Sequence, residues 1–180
     1  IISVVVGVVL TLPISSAAIC AAVGISGGAV LAGVLDGSIS MGVWNGLALA
    51  GGAATVGCCC NMLGFAVISY PDNGVGGLVA QGLGTSMLQV PNLMRKPILW
   101  IPPVLTSAIL GPVSTCIFQL RNNGAAISSG MGTAGLVGPI GIITGWSNMP
   151  EGYAVGAFDW LGMILVCFVL PVLLSWAIGK

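Results

Sequence analysis

The sequence predicts an all-α integral membrane protein, a polytopic helical bundle with broken helices and re-entrant hairpins. Charged residues make up 4% of its 180 residues, whereas a soluble domain carries about 25%. Hydrophobic residues reach 57%. The charges leave six uncharged runs of at least 20 residues each, and a helix of roughly 20 apolar residues crosses a hydrocarbon core about 30 Å thick. Each of these runs is therefore long enough to span a membrane.

The charge balance excludes several classes of soluble function. The formal net charge is zero and the chain has no His. It therefore lacks the basic face of a nucleic-acid-binding protein and the imidazoles of His-based catalysis or metal binding. We expect no nucleic-acid partner, no bound metal and no cofactor. The chain begins with Ile and has no charged segment before its first apolar run, which predicts no signal peptide and a start inside a longer protein.

The six cysteines lie in apolar surroundings and form no C-x-x-C pair, so neither a disulfide framework nor a zinc site is predicted. Three of them, Cys58, Cys59 and Cys60, are consecutive. Neighbouring side chains on a helix point about 100° apart and cannot converge on one metal ion. We expect these cysteines to pack as small apolar side chains.

The first two predicted elements are membrane spans separated by a stretch of small residues. Residues 1–23 predict a helix interrupted by Pro13, and residues 15–33 are mostly Ala, Gly and Ser, which suits close helix contact. The second span is predicted over residues 42–69. It is expected to end at a turn signal, residues 70–74.

The next stretch, residues 75–92, is poor material for a helix exposed to lipid. It contains five glycines or prolines, and its polar side chains are Gln81, Thr85, Ser86, Gln89 and Asn92. A broken helix or a re-entrant segment is expected, because backbone that leaves helical form in a membrane must be satisfied by protein or water. Residues 98–120 then predict a further span, whose first turn tolerates Pro102 and Pro103.

Residues 122–150 are weakly hydrophobic and rich in glycine, which weakens a continuous helix. We predict that they form a hairpin that enters and leaves the membrane on one side. The last run, residues 158–178, predicts the clearest spanning helix, with Trp160 and Trp176 near its ends as interfacial anchors.

The distribution of the four cations favours the hairpin. If residues 122–150 crossed the membrane, the cations would divide two and two between its sides. If these residues re-enter, Arg95, Lys96 and Lys180 share one side against a single cation on the other. The positive-inside rule prefers the unequal division and places the Arg95–Lys96 loop in the cytoplasm.

One glycine motif, residues 130–135, matches the dinucleotide fingerprint G-x-G-x-x-G letter for letter. That fingerprint requires a preceding strand, a following helix and an acidic residue about 20 positions further on. The match lies instead inside 29 uncharged residues, so a nucleotide site is not predicted. We expect these glycines to let backbone groups line a cavity at membrane depth.

Uncharged polar residues at membrane depth form the candidate solute site. Each costs free energy unless it finds a partner or faces water. The set is Asn61, Gln89, Asn92, Asn122, Asn123, Ser128, Ser129 and Thr133. Their amides and hydroxyls can hydrogen-bond a polar small solute such as a sugar, and all except Asn61 are predicted to bind it. Hydrogen bonding between helices is the alternative role for each of them.

Three stretches resemble a known family. They read LPISSAA followed by GISG (residues 12–18 and 24–27), VPNLMRKPI (residues 90–98) and GMGTAGLVGPIG (residues 130–141). In this order they are similar to the C-terminal half of the EIIC-like membrane components of the phosphotransferase system, a group that includes toxin regulators called PfoR. The resemblance spans residues 12–178.

The resemblance implies a helical transport domain with broken helices and re-entrant hairpins around a solute site, usually paired as a homodimer. It further implies a bacterial inner (plasma) membrane location and soluble phosphotransferase partners. Residues 1–180 would then form one transmembrane domain, the C-terminal half of a longer protein. The expected function is translocation of a polar small solute. The alternative is a non-transporting membrane regulator or sensor of the PfoR type.

One departure from the family pattern concerns phosphorylation. Well-studied sugar-transporting members place a His and a Glu near the hydroxyl that is phosphorylated, whereas this chain has no His and no acid between Asp72 and Glu151. Phosphoryl transfer also needs a phosphorylated donor from a soluble partner. We therefore expect no enzymatic phosphorylation by the chain on its own.

Overall fold

A computed structural model of the chain describes residues 41–124, 126–147, 149 and 154–180. These residues form helices and connecting turns without a strand. The predicted helix over residues 1–23 and the small-residue stretch after it lie outside the described residues. Three of the described helical stretches are long and apolar enough to cross a membrane: Trp44–Ile68, Pro97–Ile117 and Ala157–Gly179. The prediction of an all-helical membrane protein is confirmed.

In chain order the described α-helices are α1 (Met41–Ile68), α2 (Tyr70–Val79), α3 (Val90–Arg95), α4 (Ile101–Pro112), α5 (Ala126–Met131), α6 (Val137–Trp146), α7 (Ala157–Ile164) and α8 (Leu170–Gly179). Single π-helical turns cover Ala80–Gly84, Val113–Ile117 and Leu165–Val169, and 3-10 turns cover Ser86–Gln89, Pro97–Trp100 and Ala134–Leu136. The first span is α1, the second contains α4, and the third contains α7 and α8.

Proline accompanies the helix breaks in the second and third spans. Pro112 ends α4 directly before one π turn, and Pro171 lies in the first turn of α8, directly after another. Proline has no N–H to donate to the carbonyl one turn earlier, and single π turns interrupt α-helices where the regular bonding pattern changes. The second and third spans are therefore interrupted helices, although the sequence predicted uninterrupted spans there.

The second span runs antiparallel to α1, and the third span runs parallel to it. At one end of the bundle, a Cβ atom added to Gly179 would lie 3.2 Å from Cγ1 of Ile68 and 3.8 Å from Cγ of Pro102. Towards the other end, the carbonyl oxygen of Leu120 fills the space beside Gly52. These are termed the Ile68 end and the Leu120 end.

Small and branched apolar side chains form the core between the spans. Cys59, Cys60 and Cys167 are fully buried there, together with Leu110 of the second span and Ile142 of the hairpin. The predicted apolar packing is confirmed for Cys59 and Cys60. Because small residues let helix backbones approach closely, they suit an interface in which no hydrophobic force drives helices together.

Residues 70–95 form a broken segment that leaves and returns at the Ile68 end, here termed the first re-entrant segment. It begins directly after α1, and its π turn, Ala80–Gly84, packs back against α1. A Cβ atom added to Gly82 would lie 3.4 Å from Cδ2 of Leu63 and 3.6 Å from Cβ of Ala66. The predicted break in this stretch is confirmed.

The predicted end of the second span is confirmed, because α1 ends at Ile68, but the turn predicted over residues 70–74 is wrong. These residues open helix α2, with a kink at Gly74, where φ is 59° and ψ is −154°. Pro71 lies in the first turn of that helix, where a missing N–H costs no intrahelical hydrogen bond. The proline and glycine therefore mark a helix start and a kink.

Residues 122–147, here termed the second re-entrant segment, form a hairpin at the Leu120 end. Helices α5 and α6 pack against each other, and a Cβ atom added to Gly145 would lie 2.6 Å from the backbone nitrogen of Gly124. Phe118, at the end of the second span, stacks on Phe158 of the third, with ring centroids 5.2 Å apart. The chain thus leaves the second span and enters the third at the same end, as the sequence predicts.

The two re-entrant segments fix where the cations lie. The Arg95–Lys96 pair directly precedes the second span at the Ile68 end, and Lys180 follows the third span at that same end. Arg121 lies at the Leu120 end. This is the unequal division that the positive-inside rule favours.

Candidate solute site between two re-entrant segments

The two re-entrant segments meet inside the bundle. The Thr133 hydroxyl of the second segment donates a hydrogen bond of 2.6 Å to the carbonyl oxygen of Gly82 in the first. Thr133 is fully buried and lies at the tip of the hairpin, between α5 and the 3-10 turn Ala134–Leu136. Segments that enter from opposite ends of the bundle are thereby joined. This contact is termed the junction.

Glycine at position 132 lets the hairpin tip reach α1. Its φ is 55°, a conformation that residues with a side chain rarely adopt. A Cβ atom there would lie 2.7 Å from the carbonyl carbon of Cys58 and 2.8 Å from the nitrogen of Cys59, so a larger residue would have to displace the α1 backbone. Since these cysteines lie near the middle of the span Trp44–Ile68, the tip reaches the central part of the bundle.

The π turn Ala80–Gly84 supplies the other side of the junction. Gln81 and Gly82 are its buried residues. The Gln81 side chain is 4% exposed, and its Oε1 atom has no hydrogen-bond partner. The turn therefore contains a backbone carbonyl oxygen, that of Gly82, which accepts a hydrogen bond from the hairpin. It also contains a side-chain carbonyl oxygen, that of Gln81, which accepts none.

Gln89 and Asn92 form a pair further along the first re-entrant segment. Asn92 Nδ2 donates a hydrogen bond of 2.9 Å to Gln89 Oε1. Gln89 is 7% exposed, in a 3-10 turn that packs against α1, whereas Asn92 is exposed. The pair thus connects a buried amide to an accessible one.

The Asn122 side chain lies at the centre of a hydrogen-bond cluster at the base of the hairpin. Its Nδ2 atom is 2.8 Å from Oγ1 of Thr55 and 3.2 Å from the Oγ atoms of Ser128 and Ser129. Its Oδ1 atom accepts a 3.0 Å hydrogen bond from the backbone of Gly124. An amide nitrogen carries two protons, so three hydroxyl oxygens share them. This cluster ties the hairpin to α1.

Two further side chains fix the Leu120 end of the hairpin to the first turns of α1. Trp44 Nε1 donates a 3.3 Å hydrogen bond to Asn123 Oδ1. Arg121 Nε donates a 2.6 Å hydrogen bond to Asn45 Oδ1, and the same guanidinium bonds the Gln119 side chain at 3.0 Å.

The structure distributes the seven predicted site residues over several places. Asn122 lies with Ser128 and Ser129 at the base of the hairpin, and Gln89 lies with Asn92 on the first re-entrant segment. Asn123 lies beside Trp44. Thr133 is the predicted residue at the junction. Asn61 bonds the Gly57 carbonyl of its own helix. Two residues that lie beside these groups were not among the predicted site residues. Gln81 lies in the same polar stretch as Gln89, so the sequence could have indicated it. Thr55 lies in an apolar helix, where nothing in the sequence distinguishes it.

The stretches of chain nearest the junction carry no charge. Residues 41–68, 73–94 and 122–147 contain no Asp, Glu, Lys or Arg. In the described part of the chain, no three His, Cys, Asp or Glu side chains are grouped to hold a metal ion. The groups near the junction are amides, a hydroxyl and backbone carbonyls, which bond through neutral donors and acceptors. Such groups can recognise a neutral polar molecule.

The sequence matches a family profile along its whole length. The family is described as phosphotransferase system, EIIC, and the match covers residues 1–180. The chain belongs to this EIIC family. No curated protein and no solved structure matches the sequence of this chain. The resemblance carried by the three sequence stretches is thus confirmed.

Membership in the EIIC family establishes the general role. The chain is a membrane transport domain of the phosphotransferase type, a class that handles sugars together with soluble partner proteins. The alternative of a non-transporting regulator finds no support in the family match. The two groups that bond each other at the junction lie on re-entrant segments that enter from opposite ends.

Proposed function

We propose that this EIIC domain binds a polar, uncharged solute, a sugar, at the junction and translocates it across the membrane. The observation that carries the proposal is the Thr133–Gly82 hydrogen bond, which joins the two re-entrant segments inside the bundle. Transporters place substrate sites near the bilayer midplane, where discontinuous helices expose backbone groups. Motion of one segment against the other would open the junction towards either end of the bundle.

The seven predicted site residues enter this proposal in two roles. Gln89, Asn92 and Thr133 contact the solute directly, since they lie on the first re-entrant segment and at the hairpin tip. The others form the hairpin wall of the site and hold it against α1 through their hydrogen bonds; they are Asn122, Asn123, Ser128 and Ser129.

The setting of this function is also part of the proposal. Soluble phosphotransferase components supply the phosphoryl group, because phosphoryl transfer needs a phosphorylated donor. The protein works as a multi-pass homodimer in a bacterial plasma membrane, and residues 1–180 form the C-terminal half of a longer chain. These features follow the pattern of the family that the chain resembles.

Uptake of radiolabelled hexoses and hexitols into vesicles that contain the full-length protein tests the proposal. The variants Asn92→Val and Thr133→Val keep most of the side-chain volume and remove the polar group. We expect solute affinity to weaken about ten-fold in each, the effect of losing a hydrogen bond worth about 1–1.5 kcal/mol. The amount of folded protein should change little.

Thr115→Val is the matched control for Thr133→Val. The Thr115 hydroxyl bonds carbonyl oxygens of its own helix, at Gly111 and Pro112, so its loss should leave uptake unchanged. If Asn92→Val and Thr133→Val both lose folded protein in detergent, these side chains join helices and the site assignment is wrong. Absence of uptake of every sugar tested, with soluble components present, would contradict the function itself.

A further inference from the structure

Among the described residues, one buried side-chain polar atom has no hydrogen-bond partner, the Oε1 atom of Gln81. Every other fully enclosed side-chain nitrogen or oxygen in that part of the chain has a hydrogen bond. An acceptor without a hydrogen-bond partner in a low-dielectric interior costs free energy. Such an atom in an otherwise satisfied structure calls for a functional explanation.

The position of Gln81 relates it to the junction. It directly precedes Gly82, whose carbonyl oxygen receives the Thr133 hydrogen bond. The π turn that carries both residues packs against α1 on one side and against the 3-10 turn Ala134–Leu136 on the other. Any separation of the two re-entrant segments would therefore expose the hairpin-facing side of the turn in which Gln81 is buried.

We propose that Gln81 is a solute-binding residue, whose Oε1 atom accepts a hydrogen bond from a hydroxyl group of a neutral polyhydroxylated solute. This inference rests on the proposed function, and it adds a residue outside the seven predicted ones. The solute hydroxyl supplies the missing donor when the junction opens to admit it.

The surroundings favour a neutral hydroxyl over other donors. A metal cation needs several oxygen ligands, whereas one unpartnered oxygen is present here. An ammonium group would need a nearby carboxylate to offset the burial of its charge, and residues 73–94 and 122–147, which form both sides of the junction, contain none. A hydroxyl group supplies one hydrogen-bond donor and carries no charge, so it can pair with the Gln81 oxygen.

A hydrogen bond of this kind selects among solutes. A buried polar group built to bond a hydroxyl rejects the analogue that lacks it, because the protein atom is then left unpaired. For the sugar that binds best, one deoxy analogue should therefore bind the wild-type protein much more weakly. Removal of the Gln81 acceptor should abolish that discrimination.

Thermal unfolding of the purified full-length protein tests the inference, with a panel of hexoses, hexitols and their monodeoxy analogues as probes. The test variant is Gln81→Met, which is similar in length and lacks the acceptor. The matched control is Leu83→Met, a change in an exposed side chain of the same π turn. Without sugar, Gln81→Met should unfold at or above the wild-type temperature, because an unpartnered acceptor has been removed.

With sugar present, Gln81→Met should bind the best hexose or hexitol about ten-fold more weakly than the wild type and the Leu83→Met control. One monodeoxy analogue should bind the wild type about ten-fold more weakly than the parent sugar does. Gln81→Met should bind that analogue and the parent sugar with equal affinity. Equal binding of the panel by wild type and Gln81→Met would overturn the inference and leave the proposed function intact. A wild-type protein that binds no member of the panel would overturn both.

Gln81→Leu provides a second apolar replacement. Loss of folded protein in both Gln81→Met and Gln81→Leu would also overturn the inference. It would show that the amide has a structural partner, since replacement of an unpartnered acceptor by an apolar side chain is tolerated.

Discussion

Gly52 and Gly57 lie less than two turns apart on α1 and have different surroundings. A Cβ atom added to Gly52 would overlap the carbonyl oxygen of Leu120, whereas one added to Gly57 meets nothing within 4 Å. Gly52 therefore sets the distance between α1 and the chain that leaves the second span. Gly57 is a glycine whose replacement is governed by helix propensity.

We predict opposite effects of alanine at these two positions. Gly52→Ala should destabilise the protein by about 2 kcal/mol or more, the cost of overpacking a closely fitted contact. Gly57→Ala should be neutral or stabilising by up to about 1 kcal/mol, because alanine is the better helix former. Thermal unfolding in detergent measures both. Equal stability of the two variants would show that α1 and Leu120 are not in contact.

At the scale of elements, the hairpin of the second re-entrant segment determines the sidedness of the chain. Its two ends meet at the Leu120 end, where Phe118 stacks on Phe158, so residues 121 and 151 should face the same side of the membrane. Arg95, at the Ile68 end, should face the opposite side. Because the first re-entrant segment also returns to its own end, the two segments approach the junction from opposite sides.

Single-cysteine labelling with a membrane-impermeant reagent tests this arrangement. In a background without the six native cysteines, Arg121→Cys and Glu151→Cys should react from one face and Arg95→Cys from the other. Asn45 loses the hydrogen bond from Arg121 in the first of these variants, so folded protein must be verified. Labelling of positions 121 and 151 from opposite faces would rule out the hairpin.

At the scale of the whole molecule, we expect that the chain does not phosphorylate a solute by itself. It has no His, and residues 73–150 contain no acid that could act as a general base on a solute hydroxyl. We predict that the purified protein forms no sugar phosphate from phosphoenolpyruvate and a hexose. The soluble phosphotransferase components, added separately, are the control for an active donor. Sugar phosphate formed in their absence would contradict the prediction.

The spans could be predicted because their signals are local. Apolar runs of sufficient length fold as helices in any bilayer, since each backbone group must find a partner within its own segment. Glycine and proline weaken helices wherever they occur, so the breaks in both re-entrant segments followed from composition. Residues 70–74 show the limit, because the same proline and glycine fit a helix start with a kink as well as a turn.

The partners of the polar side chains depend on contacts that composition does not encode. Asn122 bonds Thr55, which lies 67 positions away, and Thr133 bonds Gly82, which lies 51 positions away. By itself the sequence determined a helical membrane protein with two interrupted segments, because burial of apolar surface and backbone bonding act on each segment separately. Only the tertiary structure decided that these segments meet, and that Gln81 is left without a donor, because hydrogen bonds form between whichever groups the packed helices bring within reach.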